Sequence, residues 1–126
     1  KDLLDEAAFP KNAILNILAE RMMCQGDAMD AISDGRKNAS IYFNKIAKEY
    51  PDIENELKEL ATLFGETAKL SCDMADLLGG WYRGEEQMVA LAKRETRERI
   101  VGIIQKAKDY DTKALKVLEG LSVRLG

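Results

Sequence analysis

The chain has no histidine. This excludes a Ser-His-Asp or Cys-His nucleophile, a His-ligated zinc or iron site, and an imidazole switch near neutral pH. The two cysteines, Cys24 and Cys72, lie far apart in sequence. They form neither a Cys-x-x-Cys motif nor a disulfide framework, so reduced thiols in a cytoplasmic protein are the expectation. Proline occurs twice, and the aromatics are one Trp, four Tyr and three Phe. Low proline with abundant Ala, Leu, Glu and Lys points to an all-α domain. There is no basic excess: 19 Lys and Arg face 22 Asp and Glu, for a net charge of −3 and a pI of 5.1. A general nucleic-acid binder carries a basic footprint that is missing here. No apolar run approaches the roughly 18 residues that a membrane span needs. The charged start, Lys1-Asp2-Leu3-Leu4-Asp5-Glu6, does not read as a secretory signal. A first residue other than Met suits a processed form or an excised domain. The 126 residues read as one domain, 1–126. A chain of this size buries roughly two thirds of its unfolded surface, enough for a core without staples.

What the sequence does have is helical periodicity. A short lead-in helix over 2–8 is closed by Pro10. From about Lys11, the residues Ile14, Leu15, Leu18, Met22, Gln25, Met29 and Ile32 mark one face of a helix. Ser33-Asp34-Gly35 reads as its stop signal. A second helix is expected over 37–50, with Ala39, Phe43, Ile46, Ala47 and Tyr50 inward. Pro51 opens a third over 52–78, where Asp52 and Glu54 suit the positive end of the helix dipole. Its seam is Ile53, Leu57, Leu60, Phe64, Thr67, Ser71, Met74 and Leu78. Leu63, Leu70 and Leu77 flank the seam on one shoulder, and Ala61, Ala68 and Ala75 on the other. The alanine shoulder should let a neighbouring helix come close. Gly79-Gly80 ends this helix, a short one follows over 85–93, and a last long one runs over 96–121, with the inward seam Ile100, Ile104, Ala107, Asp111, Ala114, Leu118 and Leu121. The expected architecture is an up-and-down four-helix bundle with short extra helices.

The seams are interrupted by polar residues near the middle of each helix. Gln25, with Arg21 beside it, interrupts the first, Thr67 and Ser71 the third, and Asp111 the last. In an antiparallel bundle middles meet middles, so a polar layer should cross the core. Arg21, Gln25, Thr67, Ser71 and Asp111 are therefore the candidate ligand-binding residues, since bundle cores commonly hold such sites. The alternatives are a hydrogen-bonded layer that sets helix register, with Arg21 paired to Asp111, or an Arg21 that reaches out to water.

Other chemistry-bearing residues are less specific. Cys24 and Cys72 lie near this layer, but buried cysteine usually behaves as a small hydrophobe. The carboxylates lack the Glu-x-x-His spacing of a di-iron bundle, so no metal site is expected. Lys93, Arg94, Arg97, Arg99, Lys106 and Lys108 form a basic stretch, read as a solvated face with intrahelical pairs such as Glu95 and Arg99 rather than a phosphate contact. Trp81 and Tyr82, in the glycine-bounded loop, either anchor a protein partner or cap the end of the bundle.

The run Gly79-Gly80-Trp81, Glu85-Glu86, Arg97, Ile100, Ile104, Ala107-Lys108, Asp111, Ala114 and Leu118-Glu119 resembles the C-terminal helical region of proteins related to the butirosin-biosynthesis acyl transferase. The resemblance covers about residues 60–121. It implies an accessory helical unit without transferase activity, because that family carries its catalytic Cys and His in an N-terminal part that has no counterpart here.

The expected function is thus a non-enzymatic soluble helical bundle that serves as an accessory or protein-interaction domain. Self-association through the leucine shoulder is one form of it. A small-molecule sensor with its pocket at the polar layer is the alternative. An enzyme using Asp111 as a general base near Arg21 is a third reading. No cofactor, nucleic-acid or membrane partner is expected.

Overall fold

A computed structural model describes residue 4 and residues 15–78 and 85–126. Within these ranges it describes side chains at Leu4, at Ala28, over 30–78 and from Glu86 onward. The chain is all-α. Helix α1 runs Leu15–Ala47, α2 Glu54–Leu77, α3 Glu85–Ala92 and α4 Arg94–Leu125, with a 3-10 turn, Pro51–Ile53, before α2. Among the described residues there is no strand, and no helix is long and apolar enough to cross a membrane.

The partition into helices differs from expectation at one place. Ser33-Asp34-Gly35 does not stop a helix, and the expected first and second helices are one continuous α1. Among the described residues, three long helices and a short one result, in place of four long ones. The physical reason is tertiary. Just beyond the glycine, Arg36 pairs with Asp111 of α4 and Ser40 donates to the Ala61 carbonyl of α2, at 2.9 and 2.7 Å. Both contacts need those residues on one helical face in phase with Ile32. One glycine costs a helix interior only about 0.5–1 kcal/mol against alanine, which such contacts offset. An added Cβ at Gly35 meets nothing within 4 Å. Gly35→Ala should therefore stabilise the protein by about 0.5–1 kcal/mol, read as a rise of a few degrees in melting temperature.

Helix α2 is the centre of the fold and packs against both α1 and α4. Its start follows the expected signals: Pro51 opens the turn, Asp52, Glu54 and Glu56 sit at the positive helix end, and Glu54 pairs with Lys58 one turn on. Near the α1–α2 turn, Ala47, Ile53, Leu57, Leu60, Ala114 and Leu121 form one buried cluster, with Phe43 and Phe64 stacked beside it at 5.6 Å. Toward the other end, Met74, Leu78, Leu91 and Ile100 form a second. Ser40 lies opposite Ala61, and Glu56 pairs with Arg124 while Met74 packs with Ile100, so α2 runs antiparallel to both neighbours.

The two shoulders of α2 have different neighbours. Ala61 and Ala75 are buried, and α1 approaches on this side closely enough for Ser40 to reach the Ala61 carbonyl. Leu63 packs against the first cluster and Leu77 against the second, and both are half-buried within the chain. Small residues admit a backbone, whereas leucines fill the wider gap toward α4.

Candidate functional site

Of the polar residues expected in one central layer, Thr67, Ser71 and Asp111 have described side chains. Thr67 and Ser71 are buried, as their seam positions require. Each hydroxyl donates to its own helix one turn back, Thr67 to Leu63 at 3.1 Å and Ser71 to Thr67 at 3.2 Å. Both are thereby satisfied without a cross-helix partner. Asp111 is half-buried, and its carboxylate accepts from Arg36 at 2.9 Å. Among the described residues, Arg36 is the cation that meets Asp111. The Arg36 guanidinium also lies over the Phe64 ring, 5.6 Å from its centroid, while its Nε is buried without a hydrogen-bond partner. A partly exposed pair of this kind contributes about 1 kcal/mol at most, with a similar amount from the ring contact. Its main consequence is positional, because it joins α1 to α4 across α2. Sequence reading missed Arg36 because it falls just after the apparent stop at Gly35. Its spacing of four from Ile32 was the signal that could have found it.

Around Thr67 and Ser71 lies a cavity of about 50 Å3, lined by Ile32 of α1, by Thr67, Leu70, Ser71 and Met74 of α2, and by Ile103, Ile104 and Ala107 of α4. Leu70 of the leucine shoulder forms part of its wall. The lining is apolar except for two hydroxyls already bonded to their own helix. Small-molecule sites commonly occupy about 300–1,000 Å3, so this space suits a water or a buried methyl group rather than a ligand. The cavity opens outward into a cleft whose walls remain exposed, with Ile32 at 39% and Ile104 at 43%. Along α4 the same stripe continues to Leu115 at 55% and Leu118 at 38%. Residues 104, 108, 111, 115 and 118 are spaced four and three apart, which places them on one face of α4. Asp111 in that stripe is engaged by Arg36. Lys108 is exposed, and among the described residues it forms no ion pair.

Other sequence-derived candidates resolve differently. Arg97 does not lie on a solvated basic face. It is completely buried, and its Nη1 donates to the carbonyls of Leu91 and Ala92 at 2.9 and 2.8 Å. Those carbonyls end α3, where Lys93 turns extended before α4 begins. A helix end leaves its last carbonyls without intrahelical partners, and Arg97 supplies the donors from the next helix. The intrahelical pair in this stretch joins Arg94 to Glu98 at 3.0 Å, in place of Glu95 with Arg99. Lys113 lies over the Tyr110 ring at 5.7 Å. Cys72 is exposed rather than packed as a small hydrophobe, because it sits on the solvent side of the α2 seam. Among the described residues no three acidic or cysteine side chains are grouped as metal ligands. The side chains of Arg21, Cys24 and Gln25, and the loop residues Trp81 and Tyr82, lie outside the described residues.

The chain matches no protein-family model, no curated protein and no solved structure.

Proposed function

We propose that this chain is a non-enzymatic helical interaction domain whose docking surface is the apolar cleft between α1 and α4. In this reading α1, α2 and α4 take three corners of an up-and-down four-helix bundle, and a partner helix takes the fourth. What supports it is the exposed apolar stripe Ile104, Leu115 and Leu118 on one face of α4, with Ile104 lining the same cavity as Ile32 of α1. Large apolar side chains aligned on one helix face, rather than scattered, mark an interaction surface. The arrangement of the long helices agrees with it: α1 and α4 each pack on α2 and approach each other little. The resemblance over residues 60–121 also implies an accessory unit rather than a transferase.

The partner is an amphipathic helix with acidic flanks. Arg36 already neutralises Asp111, so Lys108 is the charge on the stripe that a partner has to meet, and a carboxylate meets it. A sensor pocket at Thr67 and Ser71 has less support, given a cavity of about 50 Å3.

A synthetic amphipathic peptide of about 20 residues, leucine on one face and glutamate on the other, is the probe. By fluorescence anisotropy it should bind at least ~10-fold more tightly than its lysine counterpart. Leu115→Asp combined with Leu118→Asp should abolish binding, and Lys108→Glu should remove the preference for the acidic peptide. Equal binding of both peptides to the wild type, no binding of either, or full binding by the double variant would overturn the proposal.

A further inference from the structure

A second surface lies on the α2–α4 side of the molecule. Asp73, Asp76 and Leu77 of α2 and Arg99, Gly102, Ile103 and Lys106 of α4 line an open groove of about 480 Å3. One wall is acidic and the other basic, and the charges continue the character of the helices. α2 carries six carboxylates against two lysines, while α4 carries eight basic side chains against five acidic ones. Asp73, Asp76, Arg99 and Lys106 nevertheless form no ion pairs among the described residues. The floor is apolar, from Leu77 and Ile103, which also pack against the Met74–Ile100 cluster. Gly102 leaves it open, since an added Cβ there meets nothing within 4 Å.

We propose that this groove is the interface of a symmetric dimer, and that its occupant is a second copy of the chain. The argument is charge complementarity under symmetry. A two-fold axis parallel to the helices and above the groove lays α2 of each copy over α4 of the other. The levels along the axis are preserved, so Asp73 and Asp76 of each copy meet Arg99 and Lys106 of the other. A two-fold axis in the interface plane but across the helices sets α2 over α2 and carboxylate over carboxylate. The charge pattern therefore selects one symmetric arrangement and rejects the other. Size permits it as well. Two adjacent helices the length of the 24-residue α2 present a face on the order of 700 Å2, close to the ~800 Å2 that each partner of a stable complex commonly contributes. This surface is separate from the cleft between α1 and α4, so neither proposal rests on the other.

Sedimentation of the full chain, with charge-reversed variants, is the test. The wild type should be a dimer at about 100 μM and dissociate as salt is raised toward ~1 M. Asp73→Lys with Asp76→Lys makes the groove all-basic, and Arg99→Glu with Lys106→Glu makes it all-acidic. Each variant alone should self-associate at least ~100-fold more weakly than the wild type. Mixed in equal amounts, the two should form a one-to-one dimer identified by native mass spectrometry. Gly102→Trp should remain helical by circular dichroism and be monomeric. A monomeric wild type at that concentration, charge variants that stay dimeric alone, or a mixture that fails to pair would each overturn the proposal. None of these substitutions touches Leu115, Leu118 or Lys108, so peptide binding at the cleft is read independently.

Discussion

Arg97→Ala should lower the stability of the protein by about 3–4 kcal/mol, a fall in melting temperature on the order of 10 °C or more. Arg97 is completely buried, so its interactions are not discounted by exposure to solvent. One nitrogen satisfies the carbonyls of both Leu91 and Ala92, and these are the groups left over where α3 ends. Truncation leaves two acceptors without this donor and a void beside Leu91 and Ile100. Arg97→Met separates the two effects. It keeps most of the aliphatic packing and should recover the cavity contribution, but not the hydrogen bonds. Arg97→Lys should recover only part of the loss, because the shorter chain carries a compact ammonium in place of the planar guanidinium. Thermal unfolding measures the sum, and hydrogen exchange at the α3–α4 junction localises it. An Arg97→Ala protein that melts within about 2 °C of the wild type would show that the junction does not depend on this side chain.

The second large effect is expected at Gly65, where Ser40 of α1 lies against α2. A Cβ at this position would stand 3.2 Å from the Ser40 hydroxyl oxygen. That oxygen has little freedom to move, because it donates to the Ala61 carbonyl at 2.7 Å. Gly65→Leu should push α1 away from α2 and cost about 2–3 kcal/mol, despite leucine's better helix propensity. Gly65→Ala should be near neutral, as a propensity gain of up to ~1 kcal/mol is set against the tight contact. In a Ser40→Ala background the contact is relieved, and the same Gly65→Ala change should become stabilising. Chemical denaturation of the four proteins in this cycle gives the coupling energy directly. Additive effects would mean that Ser40 and Gly65 do not meet. Gly35, also inside a helix but facing open space, provides the control with the opposite sign.

These two glycines show how far the sequence could be read. Both interrupt a helical pattern, and nothing local tells which of them faces a neighbouring helix. Gly35 follows Ser and Asp, so it reads as a stop, yet α1 continues through it. Gly65 lies within the strongest pattern in the chain, and a Cβ there would stand against Ser40 of α1. The difference comes from what stands opposite each, which is a property of the packed molecule. Arg97 teaches the same lesson. In sequence it is one of six basic residues within sixteen positions, 93–108. It is the one that points back at the end of α3, and no local signal sets it apart from Arg94 or Arg99.

The candidate site was legible in part. The positions of Thr67, Ser71 and Asp111 followed from the seam periodicity, and the structure buries the first two and half-buries the third. Their partners were not legible. A hydroxyl within a helix can turn to a carbonyl four residues back or cross to a neighbour, and the sequence contains both options. The choice of Arg36 for Asp111 depended on α1 being one helix rather than two.

The absence of histidine excluded imidazole chemistry within this sequence without any structure, because that chemistry needs that side chain. Helical character and the inward face of α2 were likewise determined locally, since a periodicity of 3.6 residues is a property of a single helix. How many long helices there are, which carbonyls Arg97 caps, and which apolar stripe is left exposed were decided by tertiary packing. Each of these depends on residues far apart in sequence, brought together only when α1 and α4 settle on α2.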